Sequence, residues 1–195
     1  MNERITIITG GQTGVDRGAL RGALEVGFSV GGYMPKNLRD EDGPIPDEIR
    51  IHLQPCPIPG LGARTTANVE MADALLVIVP DCDDPIATPG TRRTWFGARD
   101  RQLPRQALDP SSELTSYANQ LYYWAKHHPG TKVMVAGPRA SKWPQGEYEA
   151  AGILRRLGML LAIKRDQLAA DQLAAASIVQ SPNPALIGAL LRVRK

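Results

Sequence analysis

Three short stretches of this chain combine glycine, hydroxyl and cationic side chains in a way that suits a negatively charged ligand. They are Gly10-Gly11-Gln12-Thr13-Gly14, Thr88-Pro89-Gly90-Thr91-Arg92-Arg93 and Gly137-Pro138-Arg139-Ala140-Ser141-Lys142. Each follows an apolar run of strand length, and the first two lead directly into a helical pattern. Glycine lets a backbone approach a ligand closely, and the unpaired N–H groups of a helix's first turn attract anions with the help of the helix dipole. The first stretch is neither the dinucleotide G-x-G-x-x-G nor the phosphate-loop G-x-x-x-x-G-K-[ST] pattern. The expected chemistry is therefore anion binding, most simply of a phosphate.

Among the cations, Arg139 and Lys142 are the best candidates, because a guanidinium fork in a Gly-Pro loop after a buried strand suits a bidentate oxyanion. Arg17 lies one turn into the first helix and reads equally well as a solvated surface residue. Arg92 and Arg93 are neighbours, so on a helix they point about 100 degrees apart and one of them at most faces a common cleft. Acid–base candidates are Asp16, Asp40, Glu41 and Asp42. Asp16 also complements the start of a helix, and the Arg-Asp-Glu-Asp run reads as a solvated turn. Order and spacing assemble no Ser-His-Asp or Cys-His set: His52 is isolated and His127-His128 end a helix. Trp95 and Trp143 adjoin two of the loops, where packing is the leading reading and stacking on a planar ligand the other.

Residues 5–9, 28–33, 74–79, 105–108 and 132–136 read as strands, and residues 15–26, 65–72, 91–101, 113–128 and 148–162 as helices. The Pro129-Gly130 pair ends the fourth helix. Such alternation predicts an α/β fold, Rossmann-like and doubly wound, with a mostly parallel sheet of about five or more strands. The run Ala-Leu-Leu-Val-Ile-Val-Pro is nearly continuously apolar and is expected at the centre of the sheet. All strand-to-helix loops of a parallel sheet emerge at its carboxyl edge, so the three loops are expected to meet there. Residues 34–62, rich in Pro and Gly, read as a long ordered loop with one turn of helix, a length often associated with function. The expected organisation is a ligand-binding domain over residues 1–165 and a short helical C-terminal tail over residues 166–195.

The 195 residues carry a net charge of +3, with 43% hydrophobic and 22% charged residues, which is ordinary for one globular domain. The pI near 9.0 and the basic end Arg192-Val193-Arg194-Lys195 fall short of a nucleic-acid footprint. Cys56 and Cys82 are too few for a disulfide framework and have no metal-ligand spacing to histidine, so the expectation is a reduced, cytoplasmic protein without structural metal. No apolar run reaches the roughly 18 residues a membrane span needs, and the N-terminus reads as a strand rather than a signal peptide.

Taken in order, TGGQTGVDRGAL, EDGPIP, RTTANVEMADALLVI, PGT and VAGPRASKWP resemble the motifs of the molybdenum cofactor carrier family. That Rossmann-like group shares a superfamily with the "lonely guy" hydrolases and the DNA-processing protein DprA. The resemblance covers residues 5–160. It implies an oligomer that binds molybdenum cofactor, or a similar phosphorylated anionic molecule, as cargo. By position it implies ligand contacts from Gly10, Gly11, Thr13, Gly14, Asp16 and Arg17, from Arg64, Thr65 and Asn68, from Gly90 and Thr91, and from Arg139, Ser141 and Lys142. Two departures stand out. Pro89 replaces the first glycine of the family's Gly-Gly-Thr, which removes an N–H and is expected to reshape the loop. Thr94 stands where the hydrolase pattern carries its catalytic glutamate.

The leading expectation is thus a non-enzymatic carrier. The alternative is a nucleotide-processing N-glycosidase or phosphoribohydrolase on the same scaffold, which Thr94 argues against. A nucleic-acid-binding module is favoured only by the pI and the basic C-terminus. The apolar segment Ala-Leu-Ile-Gly-Ala-Leu-Leu-Arg-Val near the C-terminus predicts a homo-oligomer, the common way to bury such a surface.

Overall fold

Alternation of apolar residues within the strands determines which helices they meet. The computed structural model describes residues 5–179. Strand β1 (Ile5–Ile8) leads to helix α1 (Val15–Glu25) and strand β2 (Ser29–Gly31). Later come α3 (Leu61–Met71), β5 (Ala74–Ile78), α4 (Pro89–Asp100), β6 (Arg105–Leu108), α5 (Thr115–His127), β7 (Thr131–Ala136) and α6 (Gly146–Val179). Ile5, Ile7, Leu76, Ile78, Val133 and Val135 turn to one layer, where they pack with α1, α5 and α6. Ile8, Leu75, Val77, Met134 and Ala136 turn to the other, against Val69 of α3 and Ala98 of α4. Both faces are covered, as a parallel sheet requires.

The five strands are all parallel, in the order β2-β1-β7-β5-β6. The α/β, Rossmann-like expectation therefore holds. The apolar strand β5 is buried throughout, but β7 takes the centre, because the chain returns from β6 to insert its last strand between β1 and β5. The helices that follow β1 and β7 lie on one face and the helix that follows β5 on the other. This reversal opens a crevice at the carboxyl ends of β7 and β5, the usual place for a ligand in such sheets.

Two glycines one turn apart bring α1 and α6 together: a Cβ on Gly18 would lie 2.1 Å from the Glu147 carbonyl oxygen, and one on Gly22 2.6 Å from that of Ala151. Helix α6 does not stop at residue 162 but continues to Val179. Residues 163–179 contain no Gly or Pro and are dominated by Ala, Leu, Gln and charged residues, which are good helix formers. The Pro-rich break and the apolar C-terminal segment lie outside the described residues.

Residues 34–62 contain the expected single turn of helix, α2 (Asp47–Arg50), and with Tyr33 they also form a second, two-stranded parallel sheet of β3 (Tyr33–Met34) and β4 (Gln54–Pro55). Met34, Ile45, Ile49 and Leu53 pack on Leu20 of α1, which anchors this long connection beside the crevice.

Candidate functional site

The crevice is a cavity of 390 Å³ lined by all three loops. Of the residues singled out from the sequence, it exposes Asp16, Arg64, Thr65, Gly90, Thr91, Arg139, Ser141 and Lys142. Gly10, Gly11, Thr13, Gly14, Arg17 and Asn68 stand outside its lining and shape it from behind. Gln12 also lines it, and of the adjacent pair Arg92 and Arg93 only Arg93 does.

The glycine loop is built around protein contacts. Gly14 has φ of 74°, and a Cβ there would lie 2.6 Å from the Pro138 carbonyl oxygen and 2.7 Å from the Ala140 nitrogen. The next residue, Val15, donates its N–H to Pro138 at 3.2 Å. The start of α1 is thus joined to the loop after β7, and Gly14 permits that junction rather than the approach of a ligand. Gly11, φ 70°, faces Leu53, whose Cδ1 is 2.7 Å from a Cβ placed there.

At Gly10 the close neighbours are functional groups. A Cβ would fall 1.8 Å from Arg64 Nη1 and 2.7 Å from Asp16 Oδ2, so only glycine admits this ion pair over the loop. Arg64 Nη1 approaches Asp16 Oδ2 at 3.5 Å, and the same oxygen accepts the Gln12 N–H at 3.3 Å. Burial pushes the Asp16 carboxyl above its ordinary range, against the lowering influence of Arg64, the Gln12 N–H and Arg139. Arg64 is itself buried, and its Nε has no hydrogen-bond partner among the described residues. Arg64 nevertheless lines the cavity, and a guanidinium in a cavity wall suits an incoming oxyanion.

Helix α4 turns its N-terminus to the same space. Thr88 caps it by accepting the Thr91 N–H at 3.2 Å, and the Thr91 hydroxyl accepts the Thr88 N–H in return. Pro89 occupies the first helical position, where its missing N–H costs nothing and its φ is preset. The departure from Gly-Gly-Thr therefore produces a well-capped helix. Thr88, Pro89, Gly90 and Thr91 all face the cavity at the positive end of the helix dipole. Of the adjacent arginines, Arg93 lines the cavity and lies over Gly62, where a Cβ would be 2.8 Å from its Cζ. Thr94 donates its hydroxyl to the Gly90 carbonyl at 3.0 Å and contributes no carboxylate.

Three polar side chains serve the frame. Asn68, fully buried, accepts the Tyr33 N–H at 2.7 Å and donates to the Tyr33 carbonyl at 3.0 Å and to that of Thr9 at 3.4 Å. Arg17 is paired with Asp40. Thr13 donates its hydroxyl to Glu41 and accepts the Ala140 N–H at 3.2 Å. Glu41 in turn accepts the Ser141 N–H at 3.0 Å and the Ser141 hydroxyl. The acidic run read as a solvated turn thus fastens the first loop to the third; single-residue propensity carries no signal of such a contact.

Trp143 is in the core and Trp95 packs on the α3–α4 side with Arg105 over its ring. No histidine lines the cavity. Asp81, Cys82 and Asp109 bring their ligand atoms within 4.8 Å of one another. Asp109, however, already accepts from Ser111, Ser112 and the Cys82 N–H. The Cys82 thiol and these serine donors hold its carboxyl far below the usual range, and the thiol is pushed up in return.

Fold and crevice together define a Rossmann-like α/β protein whose three strand-to-helix loops surround one mainly cationic cavity. The model of the circularly permutated YpsA SLOG family matches residues 7–158, and the chain belongs to this family. It is also similar to the crystal structure of "Putative molybdenum carrier protein" from Syntrophus aciditrophicus SB. The two share 31% sequence identity and a TM-score of 0.65, over 76% of this chain and 91% of that one. No curated protein matches the sequence.

Proposed function

We propose that this protein binds a phosphorylated, anionic small molecule in the crevice and carries it without chemical change, with molybdenum cofactor as the cargo. The observation that carries this reading is the charge of the cavity wall: Arg64, Arg93, Arg139 and Lys142 surround the α4 N-terminus, with Asp16 the single acid among the lining residues. Arg64 and the first turn of α4 receive the phosphate, while Arg139 and Lys142 close on it from the third loop. The neighbour's name supports molybdenum cofactor as the cargo. The alternative, an N-glycosidase or phosphoribohydrolase, rests on Asp16 as the one buried carboxylate in the cavity.

Mass spectrometry of what co-purifies under anaerobic conditions is the primary test: a phosphorylated pterin is expected, and a nucleotide that contains no pterin would overturn the cargo. Loss of one charge-assisted hydrogen bond costs about 1.5 to 3 kcal/mol, roughly tenfold to hundredfold in affinity. Calorimetry should give that loss for Arg139→Ala and a smaller one for Lys142→Ala, whose flexible amine has less geometric fit. Base release from nucleoside monophosphates that disappears in Asp16→Ala would establish the enzyme instead.

The carrier is further proposed to be a cytoplasmic homo-oligomer, with the end of α6 and the C-terminal residues in packing or association. Tyr148, Met159, Ile163 and Leu173 are exposed along α6, which supports a covered surface. Sedimentation as a monomer at micromolar concentration would count against it. No described helix is long and apolar enough to cross a membrane.

A further inference from the structure

A second cavity, of 470 Å³, adjoins the first, and Gln12, Leu61 and Arg139 line both. Pro35, Pro59, Gly60 and Leu61 give it an uncharged wall, and Lys36, Arg39 and Asn37 a polar one. Of its two acids, Asp40 is paired with Arg17 and accepts the Asp42 N–H, whereas Glu41 accepts only from the neutral donors of Thr13 and Ser141 and keeps its charge. Lys36, Arg39 and Arg139 have no ion pair among the described residues. Three such cations against the one uncompensated carboxylate, Glu41, leave the net charge of this chamber positive as well. Each chamber alone falls within the size range of a small-molecule pocket, and the residue at their junction is an arginine, the side chain best suited to a phosphate fork.

We infer that the two chambers form one bipartite site for a pyrophosphate-linked, two-armed ligand of the dinucleotide type, with Arg139 on the pyrophosphate and one arm in each chamber. This inference rests on the anion-binding reading of the first cavity and names the class of molecule that cavity takes. A single phosphorylated ring compound fills the first chamber and leaves Lys36 and Arg39 without a role. A second nucleotide arm brings its own polar groups to Asn37 and the two cations, and lays its ring along the proline-lined wall.

The test uses guanosine monophosphate and diguanosine 5′,5′-pyrophosphate as probes, since guanine has the same 2-amino-4-oxopyrimidine edge as a pterin. Calorimetry on the full-length protein is expected to give at least tenfold tighter binding of the pyrophosphate-linked probe. The exposed pair Lys36→Ser/Arg39→Ser is expected to remove that advantage and to leave monophosphate binding unchanged. Equal affinity for the two probes in the parent, or an equal loss for both in the double variant, would overturn the bipartite site while the first-chamber reading stands. Binding of neither probe would overturn the first-chamber reading, and this inference with it.

Discussion

The carboxylate of Glu41 accepts both the backbone N–H and the hydroxyl of Ser141, a residue 100 positions further along the chain. Through Thr13 the same carboxylate reaches the glycine loop. Desolvation is the largest single influence on Glu41 and pushes it upward. Hydrogen bonds from the Ser141 hydroxyl, the Thr13 hydroxyl and the Ser141 N–H, together with Arg139, hold it below its ordinary 4.5.

A carboxyl with a lowered folded-state pKa stabilises the fold above its ordinary value, and that contribution disappears as pH falls through the lowered one. Urea unfolding of the parent should therefore lose stability as pH drops below about 4.5, and Glu41→Gln should have a flatter profile in that window. Parallel profiles for the two proteins would show that Glu41 does not hold the loops.

Two glycines of the site should respond in opposite ways. Gly14 has a positive φ, and a Cβ there would stand 2.6 Å from backbone, whereas a Cβ at Gly90 would meet nothing nearer than the Thr88 hydroxyl at 3.9 Å. Gly14→Ala should cost about 1 to 3 kcal/mol of stability from backbone strain alone, read as a lower midpoint of thermal unfolding. Gly90→Ala should leave the midpoint unchanged or raise it, since alanine in a helix is favoured by up to about 1 kcal/mol. Any effect of Gly90→Ala on anion affinity then belongs to the cavity and not to the fold.

The strands were legible because burial on both faces leaves apolar runs such as Ala74–Ile78 with no other explanation. The convergence of the three loops was legible too, as a rule of parallel sheets rather than of particular residues. The length of α6 was not, because the change of composition after Ala162 resembles a boundary although no residue there breaks a helix. Nor were β3 and β4, two residues each, too short for any periodicity. The role of Glu41 was hidden for a different reason: its partners are Thr13 and Ser141, distant in sequence, and pairing of that kind exists only once the chain has folded. Arg64 and Asn68 illustrate the same limit. Both were singled out through family resemblance, yet one lines the cavity and the other binds only backbone.

Asn68 separates frame from site most directly. Its amide satisfies the Tyr33 N–H and two carbonyls at full burial. Leaving a buried polar group unpaired costs about 1 to 3 kcal/mol. Asn68→Leu should therefore lower stability by at least that amount in chemical denaturation. Asn68→Asp keeps an acceptor for the Tyr33 N–H but sets negative charge against the two carbonyls, so it should not rescue. A variant as stable as the parent with weaker anion binding would move Asn68 from the frame to the site.

Asp16 gives the prediction with the clearest sign. Its carboxyl is buried in the cavity and raised above its ordinary 3.8, so the folded protein retains a proton there to higher pH than the unfolded chain does. An anion bound beside Arg64 and Arg139 adds negative charge near Asp16 and raises it further, so binding takes up protons. Affinity for a phosphate ester should fall as pH rises from about 3.8 through the Asp16 titration, because ionised Asp16 repels the anion and competes for Arg64. Phosphate esters titrate near pH 6 themselves, which makes the variant the necessary control. In Asp16→Asn the side-chain oxygen can still accept from the Gln12 N–H and Arg64, but no carboxyl remains to titrate. Calorimetry in two buffers of different ionisation enthalpy should give a proton uptake in the parent that exceeds that of Asp16→Asn. Equal uptake in the two proteins would mean that Asp16 does not sense the bound anion.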